Sequence, residues 1–295
     1  MGNIRSAGEI AGAALPEIPS DRYGEGTPEL VFLHGNGYPP GCYGPLLSKL
    51  AKDHCVWAMH QRPLWPGSTA ETLTSWKPLS EDLLRFLDER RIGKATVVGH
   101  SLGGVVLLRA AIQNPERFNG LVLIDPVLFT PMAIRSWSVV RGLGLARRFH
   151  PWIHATERRR VEFDELDQLF HAYRRRPVFK YMSDAHLRAY IEGITRPKAG
   201  GGYSLRYSPT WEVHIYLTGI WPDMDLWRGL PNLRLPVLFI RGAESDTFLE
   251  VAVRRVRGSL PAATIRAVDS STHLVPLERP DEVADLIQEF LKELA

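Results

Sequence analysis

The stretch that decides the fold is Gly99-His100-Ser101-Leu102-Gly103-Gly104, which joins a predicted strand at 95–98 to a predicted helix that starts near Gly103. A serine at such a turn presents its hydroxyl above the edge of a sheet, beside a helix N-terminus. Glycines two residues to either side leave room for the tight backbone. The pattern predicts that Ser101 is a nucleophile. The alternative is a glycine-rich turn whose serine has no chemical role.

A serine hydroxyl needs a base to take its proton and a carboxylate to orient that base. His273 is the only histidine after residue 214, and it follows a strand-like run at 264–268. A loop at the carboxyl end of a strand is where α/β sheets carry their chemistry. We therefore predict that His273 is the base. The alternative is a solvated loop histidine.

Two aspartates compete for the role of the orienting acid, and both follow a predicted strand. Asp246 lies just past the strand at 236–241, and Asp125 ends the run Leu121-Val122-Leu123-Ile124. Asp246 is favoured, because one helix and one strand fit between it and His273, so the two loops are expected to be neighbours. Asp125 is kept as the alternative acid.

A fourth loop, His34-Gly35-Asn36-Gly37, follows the apolar strand that begins at Leu30. Acyl transfer develops negative charge on a carbonyl oxygen, which preorganised N–H groups stabilise. The donors are expected to be the backbone N–H groups of Asn36 and Leu102. His34 is expected to brace this loop by hydrogen bonding, with direct catalysis as the alternative.

Together these four motifs, in this order, resemble the α/β-hydrolase superfamily over nearly the whole chain. The resemblance implies a mostly parallel eight-stranded sheet flanked by helices, with a Ser101–His273–Asp246 triad. Epoxide hydrolases and haloalkane dehalogenases carry aspartate where this chain has Ser101, so that branch is excluded. Many relatives read Asp-x-Arg-Gly-x-Gly-x-Ser in the loop after the strand that corresponds to Cys55–Met59, whereas this chain reads His60-Gln61-Arg62-Pro63-Leu64-Trp65-Pro66-Gly67-Ser68.

Between Asp125 and the strand at 236 lie 110 residues, far more than one crossover connection requires. Helix-like patterns at 134–149, 162–176 and 184–194 run through this segment. In the resembled superfamily an insertion here is a helical cap over the active site. We therefore predict a core of residues 1–127 and 229–295 with a cap at 128–228. The alternative is a separate, unrelated domain.

Charge is uneven between these parts. Residues 128–228 hold 16 Lys and Arg against 10 Asp and Glu, and the arginine runs at 158–160 and 174–176 dominate this excess. Clustered arginine can attract acidic substrates or anionic lipid surfaces. The alternative is a solvated helix face. No nucleic-acid-binding motif occurs, so no nucleic-acid partner is expected.

Composition fits a globular enzyme, with 44% hydrophobic and 23% charged residues in a chain of 295. No apolar run approaches the length of a membrane-spanning helix, and no secretory signal is seen, which favours the cytoplasm. Residues 1–6 fit a loose N-myristoylation pattern. Cys42 and Cys55 are expected to be reduced, although one bridge between them is the alternative. No metal-ligand spacing or phosphate-binding loop occurs, so neither a metal nor a cofactor is expected.

The sequence thus predicts a serine esterase acting on a small or medium apolar acyl substrate through an acyl-enzyme. Thioester, lactone or carbon–carbon bond hydrolysis by the same three residues is an alternative. A ligand-binding receptor on the same fold is another, since some receptors keep an intact triad.

Overall fold

The computed structural model describes residues 16–26 and 29–294 of the chain. A seven-stranded sheet forms its centre, in the order β1-β3-β2-β4-β5-β9-β10. Strand β1 pairs antiparallel with β3, and every other pairing in this sheet is parallel. The expectation of a mostly parallel sheet is confirmed, but within the described ranges the sheet has seven strands rather than eight. The strands are β1 (Ser20–Tyr23), β2 (Glu29–Leu33), β3 (Cys55–Met59), β4 (Ala95–His100), β5 (Phe118–Ile124), β6 (Glu162–Phe163), β7 (Thr195–Pro197), β8 (Tyr203–Leu205), β9 (Val237–Gly242) and β10 (Thr264–Val268).

Helices flank both faces of this sheet and also run through the insertion between β5 and β9. They are α1 (Gly44–Leu50), α2 (Lys77–Glu89), α3 (Leu102–Gln113), α4 (Pro131–Gly142), α5 (Ala146–Phe149), α6 (Ile153–Glu157), α7 (Leu166–Arg174), α8 (Asp184–Ile194), α9 (Pro209–Thr218), α10 (Met224–Gly229), α11 (Glu250–Ser259), α12 (Val275–Glu278) and α13 (Pro280–Leu294). Within the described ranges, no helix is long and apolar enough to cross a membrane. The myristoylation pattern at residues 1–6 lies outside those ranges.

Successive side chains of the central strands point to opposite faces of the sheet, so the core has two layers, one on each face. On β5, Leu121 and Leu123 face the layer that contains α2, α3 and α11, while Val122 and Ile124 face the layer that contains α1 and α13. This is the period-2 pattern of a strand buried on both faces. Such burial fixes the register of the sheet, and therefore fixes which loops meet at its carboxyl edge.

The long insertion between β5 and β9 contains α4 to α10 and a second sheet, so it is not purely helical. Strands β6, β8 and β7 form this small antiparallel sheet in that order. Its strands have only two or three residues each, too short to show a period in the sequence. Leu226 and Trp227 of α10 pack into the same core layer as α3. The division at 128–228 into cap and core therefore stays a prediction.

Both cysteines are buried and free, so the structure contains no bridge between Cys42 and Cys55. The Cys42 thiol lies against the carbonyl oxygen of Tyr190 on α8. Burial raises the pKa of the Cys42 thiol well above its ordinary value. This cysteine therefore behaves as a small apolar side chain of the core.

Candidate active site

Ser101 occupies the sharp turn between β4 and α3. Its backbone has φ +57° and ψ −117°, a conformation that non-glycine residues rarely adopt. A Cβ atom at Gly99 would lie 2.5 Å from the carbonyl oxygen of Gly103, and one at Gly103 would lie 2.3 Å from that of Leu33. The two glycines are therefore required by close backbone approach. They let the strained turn form and raise the Ser101 hydroxyl above the sheet edge.

His273 bridges the serine to a carboxylate with its two ring nitrogens. Its Nε2 atom lies 2.9 Å from Oγ of Ser101, and its Nδ1 atom lies 2.8 Å from Oδ1 of Asp125. With the proton on Nδ1, the ring donates to Asp125 and accepts from the Ser101 hydroxyl. This is the hydrogen-bonding order that general-base activation of a serine requires.

The preference for Asp246 as the orienting acid is therefore corrected, because the carboxylate that meets His273 is that of Asp125. The end of β9 and the loop after it bind Asp125 instead: the N–H of Gly242 donates to Oδ2 at 2.9 Å, and the hydroxyl of Ser245 donates to Oδ1 at 2.6 Å. Asp125 is fully buried, whereas Asp246 is exposed and accepts a hydrogen bond from the Thr247 hydroxyl. The prediction was wrong because it relied on the short sequence separation between Asp246 and His273. The sheet order decides the outcome, since β5 lies directly between β4 and β9.

The loop after β2 lies beside the serine. A Cβ atom at Gly35 would come within 3.2 Å of the Ser101 Cβ, so the backbone passes close to the nucleophile. Asn36 and Leu102 line the same cavity as Ser101 and His273. Within the described ranges, their backbone N–H groups donate to no backbone or side-chain acceptor. Free donors beside a nucleophile are what an oxyanion hole requires.

The Asn36 side chain is held by residues of the insertion. Its Nδ2 atom donates to the carbonyl oxygen of Glu212 at 3.1 Å, and the Tyr207 hydroxyl donates to its Oδ1 atom at 2.8 Å. The Glu212 carboxylate in turn forms a two-pronged ion pair with Arg159 at 2.6 and 3.0 Å. The insertion thus fixes the loop that carries the candidate oxyanion donor. The arginine run at 158–160 marked Arg159 only as a surface charge, and nothing in the sequence pattern pointed to its contact with Glu212 or to Tyr207 and Glu212 themselves.

His34 is fully buried, and its ring bonds two backbone segments. Its Nδ1–H donates to the carbonyl oxygen of Gly35 at 2.8 Å, and its Nε2 accepts from the N–H of Gln61 at 3.1 Å. Burial lowers the pKa of His34 to about 3, so the ring is neutral at pH 7. With both ring nitrogens occupied by backbone, His34 has no free atom for proton transfer to a substrate.

A second buried histidine connects the two sides of the site. The Gly35 N–H donates to the Tyr43 hydroxyl at 3.0 Å, and this hydroxyl donates to Nδ1 of His100 at 2.7 Å. The Nε2–H of His100 then donates to the carbonyl oxygen of His273 at 2.9 Å. Burial, together with the neighbouring His273, lowers the pKa of His100 well below its ordinary value. This neutral network links the Gly35 loop to the backbone of the base.

Glu278 holds the other end of the His273 loop. Its carboxylate accepts from the N–H of Thr272 at 2.6 Å and from the Thr272 hydroxyl at 2.9 Å. Burial raises the pKa of Glu278. The spacing of these two residues, six apart around a loop histidine, could have been noticed in the sequence. No general rule assigns it a role.

A cavity of about 740 Å³ opens beside Ser101. Its walls come from the carboxyl edge of the main sheet and from the insertion, and they include several aromatic rings, among them Trp76, Phe129, Trp137, Tyr173, Phe179 and Tyr190. Within residues 16–26 and 29–294, no group of three His, Cys, Asp or Glu side chains could hold a metal ion.

Comparison with known proteins agrees with this geometry. The profile of the Alpha/beta hydrolase family matches residues 30–286. The chain belongs to that family.

Individual relatives are distant but similar over most of their length. Esterase YbfF of Escherichia coli is 23% identical over 266 residues, covering 90% of this chain and 93% of that protein. A probable alcohol acetyltransferase of Cyberlindnera fabianii is 24% identical over 275 residues, covering 89% and 71%. The crystal structure of E-2-(acetamidomethylene)succinate hydrolase superposes with a TM-score of 0.72 at 20% identity, covering 94% of this chain and all of the other. At this identity, the structural likeness shows the fold alone.

Proposed function

We propose that the protein is a serine hydrolase that cleaves carboxylic esters through an acyl-enzyme intermediate. The observation that carries the proposal is the simultaneous contact of His273 with Ser101 and Asp125. Ester hydrolysis also agrees with the names of its relatives, among them Esterase YbfF.

The steps follow from these contacts. His273 Nε2 takes the Ser101 hydroxyl proton as Oγ attacks the ester carbonyl carbon, and Asp125 stabilises the imidazolium that forms. The N–H groups of Asn36 and Leu102 would donate to the oxyanion of the tetrahedral intermediate. When it collapses, the bond to the alcohol oxygen breaks, and His273 returns the proton to the leaving alcohol. Water, deprotonated by His273, then attacks the acyl-serine and releases the acid and free Ser101.

The substrate class follows from the cavity. Its aromatic walls favour a small or medium apolar acyl group, since apolar surface gains from leaving water. Residues 128–228 would act as the cap that shapes this space. The ion-paired Arg159 and Glu212 form a polar part of its wall.

A second candidate is transfer of the acyl group to an alcohol instead of water. The similarity to the probable alcohol acetyltransferase favours it. The first half-reaction is identical, and an alcohol in place of water would give a new ester. The two activities differ only in the acceptor that reaches the acyl-serine.

A chain-length series of p-nitrophenyl esters tests the proposal, with Ser101→Ala as the control. We expect a burst of p-nitrophenol in the wild type wherever deacylation is slower than acylation, with preference for acyl chains of about two to eight carbons. Ethanol added to the assay, with ethyl ester measured by gas chromatography, separates transfer from hydrolysis. Turnover by Ser101→Ala equal to that of the wild type would contradict the proposal.

A further inference from the structure

The first part of the insertion, residues 131–160, exposes an unusual amount of apolar surface. Eleven large apolar side chains are exposed in the described ranges, and six of them lie here: Met132, Val139, Leu143, Leu145, Phe149 and Trp152. Met132, Leu143 and Phe149 are exposed by 77%, 68% and 61%. Large exposed apolar patches mark protein or membrane interaction sites. We call residues 131–160 the basic cap segment, for the charge described next.

This segment carries seven arginines and a single acid, Glu157. Arg147 pairs with Glu157, and Arg159 pairs with the buried Glu212. For the exposed Arg135, Arg148 and Arg158, no carboxylate of the described ranges lies within 4.0 Å. The outer surface of the segment is therefore strongly positive as well as apolar.

The positive charge and the exposed apolar side chains lie on the same surface of the basic cap segment. Along α4 and its C-cap residue Leu143, the residues Met132, Arg135, Val139 and Leu143 follow at spacings of three, four and four, which places them on one face of the helix. The opposite face buries Ile134 in the core layer that contains α3. After the turn at Gly144, α5 adds Arg148 and Phe149, both exposed. An exposed helix face that mixes arginine with large apolar side chains is typical of surfaces that lie in a lipid headgroup region.

The same segment borders the entrance to the active site. Ala133, Trp137 and Trp152 line the cavity that contains Ser101. Trp152 is at once a cavity-lining residue and one of the exposed apolar side chains. A lipid surface in contact with the segment would therefore adjoin the cavity mouth.

We propose that the basic cap segment docks the protein on an anionic lipid surface, from which apolar esters reach the cavity. Its arginines match the negative charge of such a surface, and its apolar side chains enter the headgroup layer. Nucleic acid matches the arginines but leaves the exposed Leu143 and Phe149 unexplained. A second copy of the chain would bring like charges together.

The test uses the full chain carrying Ser101→Ala, so that lipid binding is measured without turnover. Cosedimentation is measured with vesicles of phosphatidylcholine containing 30% phosphatidylglycerol, and with vesicles of phosphatidylcholine alone. We expect at least tenfold stronger partition onto the anionic vesicles at low salt, weakening as salt screens the surface. Replacing Arg135, Arg147 and Arg148 by Gln is expected to lower that partition by tenfold or more.

The matched control replaces Arg254, Arg257 and Arg266 by Gln. These three arginines are exposed and lie outside the insertion, so the replacement removes the same charge from a different surface. This control is expected to bind the anionic vesicles within about threefold of the parent. A third variant, Leu143→Ser with Phe149→Ser, is expected to lose its partition onto those vesicles. Equal losses in the two arginine variants, equal binding to both vesicle types, or no binding would overturn the proposal. Retention of duplex DNA in place of vesicles would do the same. None of these outcomes depends on ester hydrolysis, so they are separate from the test of the proposed function.

Discussion

Asp125 and His273 lie 148 residues apart in the chain, yet Oδ1 of Asp125 lies 2.8 Å from Nδ1 of His273. The parallel sheet brings them together. Asp125 directly follows β5 and His273 follows β10, and β9 lies between these two strands. Gly242 at the end of β9 and Ser245 in the loop that follows donate the hydrogen bonds that complete the environment of this carboxylate.

This relationship predicts different results at the two candidate acids. Asp125→Asn is expected to lower kcat by about 10⁴, because His273 would then be held in the wrong tautomer. Asp246→Asn is expected to change kcat by less than about threefold, because its exposed carboxylate does not contact His273. Steady-state kinetics on one p-nitrophenyl ester measures both. The reverse ranking would return the acid to Asp246.

The brace on Asn36 predicts a kinetic effect from a residue outside the triad. Tyr207→Phe removes the hydroxyl that holds Asn36 Oδ1, so the oxyanion loop would lose its fixed position. We expect kcat to fall about tenfold or more with KM nearly unchanged, since misplaced oxyanion donors weaken binding of the transition state.

Tyr203→Phe is the matched control, because the Tyr203 hydroxyl lies in the small sheet and forms no side-chain hydrogen bond in the described part of the chain. It is expected to leave kcat unchanged. A rise in KM alone in Tyr207→Phe would show that Tyr207 acts on substrate binding instead.

The Tyr43–His100 network predicts a loss of stability. Tyr43→Phe would leave the fully buried Nδ1 of His100 and the N–H of Gly35 without their shared partner. Leaving a buried polar group unpaired costs about 1–3 kcal/mol. Urea unfolding is expected to show a decrease in the free energy of unfolding within that range. Tyr23→Phe, at a half-buried residue outside this network, serves as the comparison. An equal effect of the two changes would contradict the role of the network.

The lowered pKa of His34 predicts how the free energy of unfolding changes with pH. Burial lowers its pKa from 6.5 to about 3, so only the unfolded chain takes up this proton between those pH values. Its contribution is therefore fully present above about pH 6.5 and is lost as the pH falls. Lowering the pH from 6.5 to 4.5 is expected to reduce the free energy of unfolding by about 2–3 kcal/mol through this group.

Urea unfolding between pH 4.5 and 7.5 measures this slope. His34→Gln is expected to flatten it by up to one proton, whatever its effect on absolute stability. His154→Gln, at an exposed position, is the control and should leave the slope as in the wild type. An unchanged slope in His34→Gln would show that His34 titrates normally in the folded protein.

Local sequence motifs predicted much of the fold and part of the candidate active site. The strand–turn–helix pattern around Ser101 and the apolar strands before His34 and Asp125 each predicted an element that the structure contains. These motifs are predictive because they reflect backbone geometry. The turn at Ser101 requires glycine at positions 99 and 103, and this requirement is visible in the sequence.

Contacts between distant segments could not be predicted in the same way. The choice between Asp125 and Asp246 depends on strand order, which local patterns do not encode. Tyr207 reaches Asn36 across 171 residues, and neither residue belongs to a recognisable pair. The two- and three-residue strands of the small sheet are too short for alternation to distinguish them from loops.

The central claim is that Ser101 is the nucleophile activated by His273 and Asp125. The most direct measurement is peptide mapping by mass spectrometry after reaction with a fluorophosphonate probe. The wild type is expected to carry one adduct, on the peptide that contains Ser101, and Asp125→Asn to form it at least a hundredfold more slowly, since its base is misoriented. An adduct on another residue, or labelling of Ser101→Ala at the wild-type rate, would contradict the account.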